Sequence, residues 1–179
     1  MDYTSLIKKS LPLFTIAGQL ISLGLFAFLA SKKIRTKLFY LWNNLKKNSI
    51  FYSLLVVLIA MLGSLFYSEV IGYEPCKLCW VQRIFIYPQV FLLAIALWRR
   101  EKNIFNYLIP FSGLGLLISG YHYLLQIGLL PQPPCSTVGF SVSCSQNFFM
   151  YFGYITIPMM AMVVFVLVIL FGLISLRSN

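Results

Sequence analysis

The chain has 179 residues, 60% of them apolar and only 10% charged, with a mean hydropathy of +0.85. A soluble domain carries about 25% charged residues, so this composition excludes one, and it excludes a disordered chain as well. The 14 Lys and Arg against four Asp and Glu leave a formal charge of +10, but the basic residues stand in short runs between apolar blocks, a pattern of membrane topology and not of a nucleic-acid surface.

The first block, Leu11–Ala30, holds 20 uncharged residues, enough helix at ~1.5 Å per residue to cross a ~30 Å hydrocarbon core. Lys8 and Lys9 ahead of it and the small Ala27 and Ala30 also fit a secretory signal peptide. The apolar core of such a peptide runs about 7–15 residues, so length favours a retained helix. Further runs at Ile50–Tyr67, Trp80–Trp98, Tyr107–Ile127 and Tyr151–Leu176 bring the spans to five. Lipid offers no partner to an open strand edge, so each span reads as a helix. From Asn103 to Leu176 there is no charged residue, and the Pro- and Ser-containing stretch from Leu129 to Asn147 is where this long segment must turn.

Orientation follows the Lys and Arg residues. The connection Ser31–Ser49 carries Lys32, Lys33, Arg35, Lys37, Lys46 and Lys47; Arg99–Asn106 carries Arg99, Arg100 and Lys102; the tail carries Arg177. Alternation through the helices puts all three on one side, the cytoplasm. The N-terminus and the connections Ser68–Cys79 and Gly128–Met150 then face outward.

All four cysteines fall on that outer side, where thiols oxidise and disulfides persist. Cys76-Lys77-Leu78-Cys79 sits at a helix start, with Cβ atoms at i and i+3 roughly 5–6 Å apart and able to join. So short a loop makes a poor staple, which points to redox chemistry. The positive end of the helix favours a thiolate at the second cysteine, so Cys79 is expected to be the more acidic. Four thiolates could instead hold zinc, although Cys135 and Cys144 lack finger or ribbon spacing.

Arg83 lies four residues after Cys79 on the same helical face, about 6 Å deeper. A guanidinium at that depth costs a few kcal/mol unless it snorkels or finds a partner. The functional reading is that Arg83 stabilises a Cys79 thiolate and donates to the carbonyl oxygen of an electron acceptor, with Gln82 as a second donor. His122, the only histidine, falls at a similar depth on the next span, either at the same ligand or as an interhelical hydrogen-bond partner. Tyr121, Tyr123, Phe85 and Trp80 could wall a flat aromatic ligand or belong to an interfacial belt. Pro133 and Pro134 hold Cys135 in an extended approach, and the loop reaching Cys144 is uncharged. It is either a mobile exchange loop or one tied by a permanent bridge. Together the features resemble an electron wire: a soluble dithiol reduces the loop disulfide, exchange passes the electrons to the C-x-x-C pair, and Cys79 hands them to a lipid-soluble two-electron acceptor.

The stretch Glu74-Pro75-Cys76-Lys77-Leu78-Cys79-Trp80-Val81-Gln82-Arg83, the Gly120-Tyr121-His122-Tyr123-Leu124-Leu125-Gln126 segment and the loop Pro134-Cys135 to Cys144-Ser145 resemble the DsbB family of disulfide bond formation proteins, most closely its compact BdbC-type members. The resemblance covers about Ile50 to Leu176. It implies an all-α integral membrane protein of the bacterial cytoplasmic membrane with a four-helix core over 50–179, to which the hydropathy pattern adds an N-terminal transmembrane helix and basic connection over 1–49 that have no counterpart in that core. It further implies a catalytic set of Cys76, Cys79, Cys135 and Cys144, a quinone cofactor (ubiquinone or menaquinone) near Arg83, Gln82 and His122, no metal, and a thioredoxin-fold partner of the DsbA or BdbD type. In that scheme Cys135 forms the mixed disulfide with the partner and Cys144 exchanges with Cys76. Vitamin K epoxide reductase places its loop pair before the C-x-x-C, the reverse of the order here. A non-catalytic membrane protein, with structural disulfides or a metal held by four cysteines, is the reading from another class.

Overall fold

The computed structural model describes residues 3–131, 144 and 150–177, without the side chains of residues 3–11 and of Arg35. Seven α-helices follow in order among them: α1 (Tyr3–Ala30), α2 (Lys32–Lys37), α3 (Phe39–Lys47), α4 (Ser49–Leu65), α5 (Lys77–Arg99), α6 (Phe105–Gln126) and α7 (Ile157–Leu176). A π-helical turn, Phe66–Val70, ends α4, and a 3-10 turn, Lys102–Ile104, leads into α6. Five stretches are long and apolar enough to cross a membrane: Pro12–Ala30, Ser49–Val70, Lys77–Arg99, Lys102–Gln126 and Ile157–Leu176. Large apolar side chains such as Leu20, Leu23, Phe91 and Leu117 point away from the bundle, as lipid-facing positions require.

Helices α4, α5, α6 and α7 close a ring, each packed on the next and α7 returning to α4, while α1 docks on the outside of α7. Lipid is as apolar as leucine, so close backbone approach rather than the hydrophobic effect holds such a ring together. Small residues mark the contacts. Gly115 of α6 lies against the ring of Phe165 in α7, and Gly172 of α7 against Phe105 and Ile109 of α6, where an added Cβ would meet them at 3.0 Å. Pro88 removes an N–H from α5. The neighbouring Gln89, fully buried, donates through Nε2 to the Phe85 carbonyl at 2.9 Å and accepts from Ser112 Oγ of α6 at 3.2 Å. Its side chain thereby ties α5 to α6.

The basic connections share one end of the bundle. Lys102 Nζ donates to the Lys46 carbonyl at 3.2 Å, and Arg177 Nη1 to the Leu29 carbonyl at 2.8 Å. Two sequence expectations change in detail. The Ser31–Ser49 connection is not plain loop but contains α2 and α3, because Trp42 is buried against Leu25 of α1 and Phe171 and Ile174 of α7. The last span starts at Ile157 and not at Tyr151: Phe152 and Gly153 have positive φ (52° and 77°) and close a tight turn with Tyr151 bridged to Ile155, after which Thr156 and Pro158 start the helix.

A methyl at Gly115 has nowhere to go but into the Phe165 ring. Gly115→Ala should cost about 1–3 kcal/mol, seen as a lower thermal unfolding midpoint in detergent; an unchanged midpoint would show that α6 and α7 are not held by this approach.

Candidate functional site

Helix α5 starts where Pro75 delivers an extended chain to Cys76, the N-cap, whose Sγ accepts from the N–H of Cys79 at 3.4 Å. One orphan donor of the helix start thus goes to sulfur. The Sγ atoms of Cys76 and Cys79 lie 3.0 Å apart, with the Cys76 thiol donating. Cys144 brings a third sulfur to the same place: the N–H groups of Lys77 and Leu78 donate to it, and Cys76 lies beside it. The N–H groups of the first turn therefore serve Cys76 and Cys144, and the N–H of Cys76 serves Cys79, as the sequence reading expects. The capping sulfur takes the third-position N–H while the third-position sulfur takes that of the capping residue, the reciprocal arrangement of a capping box.

The Cys76 thiol is pushed up to about 12, first by the hydrogen bond it donates to Cys79 and then by burial, with His122 pulling the other way. Burial likewise raises the Cys144 thiol, opposed by the Leu78 and Lys77 amides.

His122, fully buried near the end of α6, ties these parts together. Its Nε2 lies 3.1 Å from the Cys144 carbonyl oxygen and 3.6 Å from Cys76 Sγ, and its Nδ1 lies 3.0 Å from Gln82 Nε2. A carbonyl only accepts, so the proton sits on Nε2, and Nδ1 accepts from the Gln82 amide.

Arg83, nearly buried, points to the opposite side of α5. Nε donates to Ser64 Oγ at 3.0 Å and Nη2 to the Ser64 carbonyl at 3.1 Å; Tyr87 Oη donates to the same hydroxyl at 3.4 Å. The guanidinium carbon stands 5.1 Å from the centre of the Trp80 ring. Sequence reasoning missed Ser64 as a partner, although a Gly63-Ser64 step inside an apolar helix is the kind of signal that marks one.

A cavity of about 310 Å³ opens beside this face, with Cys79, Gln82 and Arg83 at its head and apolar side chains of α1, α4 and α7 along its length. A buried cation and a thiol, with Glu74, Ser64, Ser68, Tyr67 and Tyr73 also on a lining that is mostly apolar, fit a hydrophobic ligand bearing one polar, electron-accepting group. His122 is not among the described residues that line it. The aromatic residues near the site do other work: Phe85 packs on Phe111, and Trp80 stacks over Arg83. Cys135 lies outside the described residues, as do Pro133, Pro134 and most of the loop.

Cys76, Cys79 and His122 also offer three ligand atoms within 4.8 Å of one another. Two thiolates on one tetrahedral zinc stand ~3.8 Å apart, given bonds of ~2.3 Å. The 3.0 Å between these sulfurs suits a shared proton or a covalent bond better.

Residues 46–175 match the model of the family described as disulfide bond formation protein DsbB. Disulfide bond formation protein C of Bacillus subtilis (strain 168) is 42% identical over 124 residues, 68% of this chain and 88% of that protein. A probable disulfide formation protein C of Halalkalibacterium halodurans is 40% identical over 138 residues, 74% of this chain and 96% of that protein. No solved structure matches. The chain belongs to the DsbB family, and its five apolar helices make it a multi-pass membrane protein.

With its thiol held near 12, Cys76 carries almost no thiolate at neutral pH. Its alkylation by iodoacetamide in the reduced protein, followed by mass spectrometry, should quicken about tenfold per pH unit. A rate that levels off near the ordinary thiol value would contradict the hydrogen bond to Cys79.

Proposed function

We propose that this DsbB-family chain is a membrane thiol–quinone oxidoreductase: it takes electron pairs from a DsbA- or BdbD-like thioredoxin-fold protein outside the cytoplasm and passes them to ubiquinone or menaquinone, so that exported proteins acquire disulfides. One observation carries the reading. Three cysteines meet at the start of α5, and the second of the C-x-x-C pair borders an apolar cavity headed by Arg83. The placing of the cysteines outside the cytoplasm rests on the run of Lys and Arg at the other end of the bundle.

The partner's dithiol reduces the Cys135–Cys144 disulfide, leaving a disulfide in the partner and two loop thiols. Cys144 attacks Cys76 of the oxidised pair, the Cys76–Cys79 bond breaks, and Cys79 leaves as thiolate. Cys135 then attacks Cys144, restoring the loop disulfide and freeing Cys76. The electron pair now rests on Cys76 and Cys79. His122 holds the Cys144 carbonyl and so keeps that sulfur beside Cys76. It acts in the exchange as a positioning residue, and Gln82 fixes its ring. A quinone, when bound, supplies a two-electron acceptor whose carbonyl oxygen gains negative charge. Arg83 would present a fixed cation to that oxygen, and Cys79, one turn earlier in α5, lines the same cavity.

Cys79→Ser should abolish quinone reduction. Arg83→Ala should raise the KM for quinone about tenfold or more with a smaller change in kcat, since a charge-assisted hydrogen bond is worth about 1.5–3 kcal/mol; both are read from quinone absorbance with the reduced partner as donor, and retained turnover in the serine variant would remove Cys79 as donor. His122→Ala should slow turnover with the protein partner at least tenfold but spare turnover driven by a small dithiol that reduces Cys76–Cys79 directly. Equal losses with both donors would instead place the histidine at the quinone.

A further inference from the structure

The family match begins at residue 46, so α1 lies wholly ahead of it. This helix is not loosely tethered. Gly18 sits so close to α7 that an added Cβ would meet Val163 Cγ1 at 2.8 Å. Tyr154 Oη, just before α7, donates to Gln19 Oε1 at 3.0 Å. Leu25 is buried with Leu167 and Phe171, and the Leu29 carbonyl accepts from Arg177 at 2.8 Å. Four anchors along its length fix how the helix is rotated.

That rotation aims one stripe at the cavity: Phe14, Ala17, Gly18 and Ile21, spaced i, i+3, i+4 and i+7. Helix α4 presents Ile59, Ala60 and Gly63 to the same space. Both α1 and α4 pack on α7, and the gap they leave between them is the cavity, with α7 at its back. Phe14 and Ile21 are more than half exposed and form the slot's outer lip. Cys79 and Arg83 stand at its head.

We propose that α1 closes this slot and makes it a reader of the acceptor's tail: the isoprenoid chain of the quinone lies between the Phe14–Ile21 stripe and α4, with the head held at Cys79 and Arg83. The inference rests on the quinone reading given above. Lipid already solvates an isoprenoid chain, so the slot gains its selectivity from van der Waals contact and fixed orientation, not from removal of water. Without α1 the tail would meet α4, α7 and Ile86 of α5 and lie open to lipid on the side that α1 now covers.

The experiment compares dissociation constants of the purified full chain for a long-tailed menaquinone and for menadione, the same head without a tail, read by equilibrium binding and not by turnover. The chain should bind menaquinone more tightly. Ala17→Phe, which fills the slot, should weaken menaquinone about tenfold and leave menadione within about twofold. Leu23→Phe, on the lipid-facing side, should change neither. Tail-independent binding by the unaltered chain, or unchanged menaquinone affinity in Ala17→Phe, would overturn the role of α1 alone. Binding of neither quinone by the unaltered chain, nor of ubiquinone, would overturn the functional reading beneath it. If Ala17→Phe loses both ligands, Ile21→Ala decides, because it removes contact without adding bulk. A loss of about threefold confined to menaquinone supports the proposal, and no loss refutes it.

Discussion

A guanidinium cannot be neutralised by giving up its proton, so Arg83 has to be kept charged within an apolar bundle, and the arrangement around it answers that requirement. Both oxygens of Ser64 accept from it, Tyr87 steadies the hydroxyl, and the Trp80 ring covers the guanidinium carbon. Because these partners come from α4 and from α5 itself, the charge sets the register between the two helices. That register in turn leaves Cys79 at the head of the cavity. The π-helical turn that follows Ser64 is in keeping with this, since such turns recur where a helix is shaped around a functional group.

On the other side of α5 the scarce resource is backbone N–H. A helix start has four unpaired donors, and here all four face sulfur: Cys79 N–H to Cys76, Cys76 N–H to Cys79, and Lys77 and Leu78 N–H to Cys144. A sulfur near such donors carries negative charge at lower cost, which is what each round of thiol exchange requires. His122 completes the set by holding the Cys144 carbonyl, so Cys144 is positioned through its main chain and its sulfur is a free thiol.

The spans were legible because lipid enforces them: some 20 uncharged residues in a row admit few other readings. The C-x-x-C pair and Arg83 were legible because a helix places i, i+3 and i+4 on one face. What spacing along one helix cannot give is how neighbouring helices are rotated. Gln82 and His122 stand at similar depth, yet nothing in the sequence says that they meet each other, nor that Arg83 turns away from both to Ser64. The burial of Trp42 was hidden for a related reason. Lysines flank it closely, and charge dominates a reading by composition, although Trp42 and Leu45, three apart, present one apolar edge to α1 and α7. Cys135 lies outside the described residues, so its part in the exchange stays with the family resemblance.

In the proposed reaction one dithiol serves two unlike reactants, and the surroundings of its two sulfurs differ accordingly. Cys76 is 2% exposed and meets only protein: Cys79, His122 and Cys144. Cys79 borders the cavity. If both sulfurs faced the same space, a hydrophobic acceptor and an incoming loop would compete for them, and water following the loop would weaken every interaction Arg83 makes. With one sulfur enclosed by protein and the other bordering the cavity, 3.0 Å apart, the proposed reaction would keep a wet exchange apart from a dry transfer. Gln82 then occupies the boundary: its amide holds His122 on the exchange side, and it also lines the cavity on the other. A single side chain thereby touches both halves of the proposed reaction.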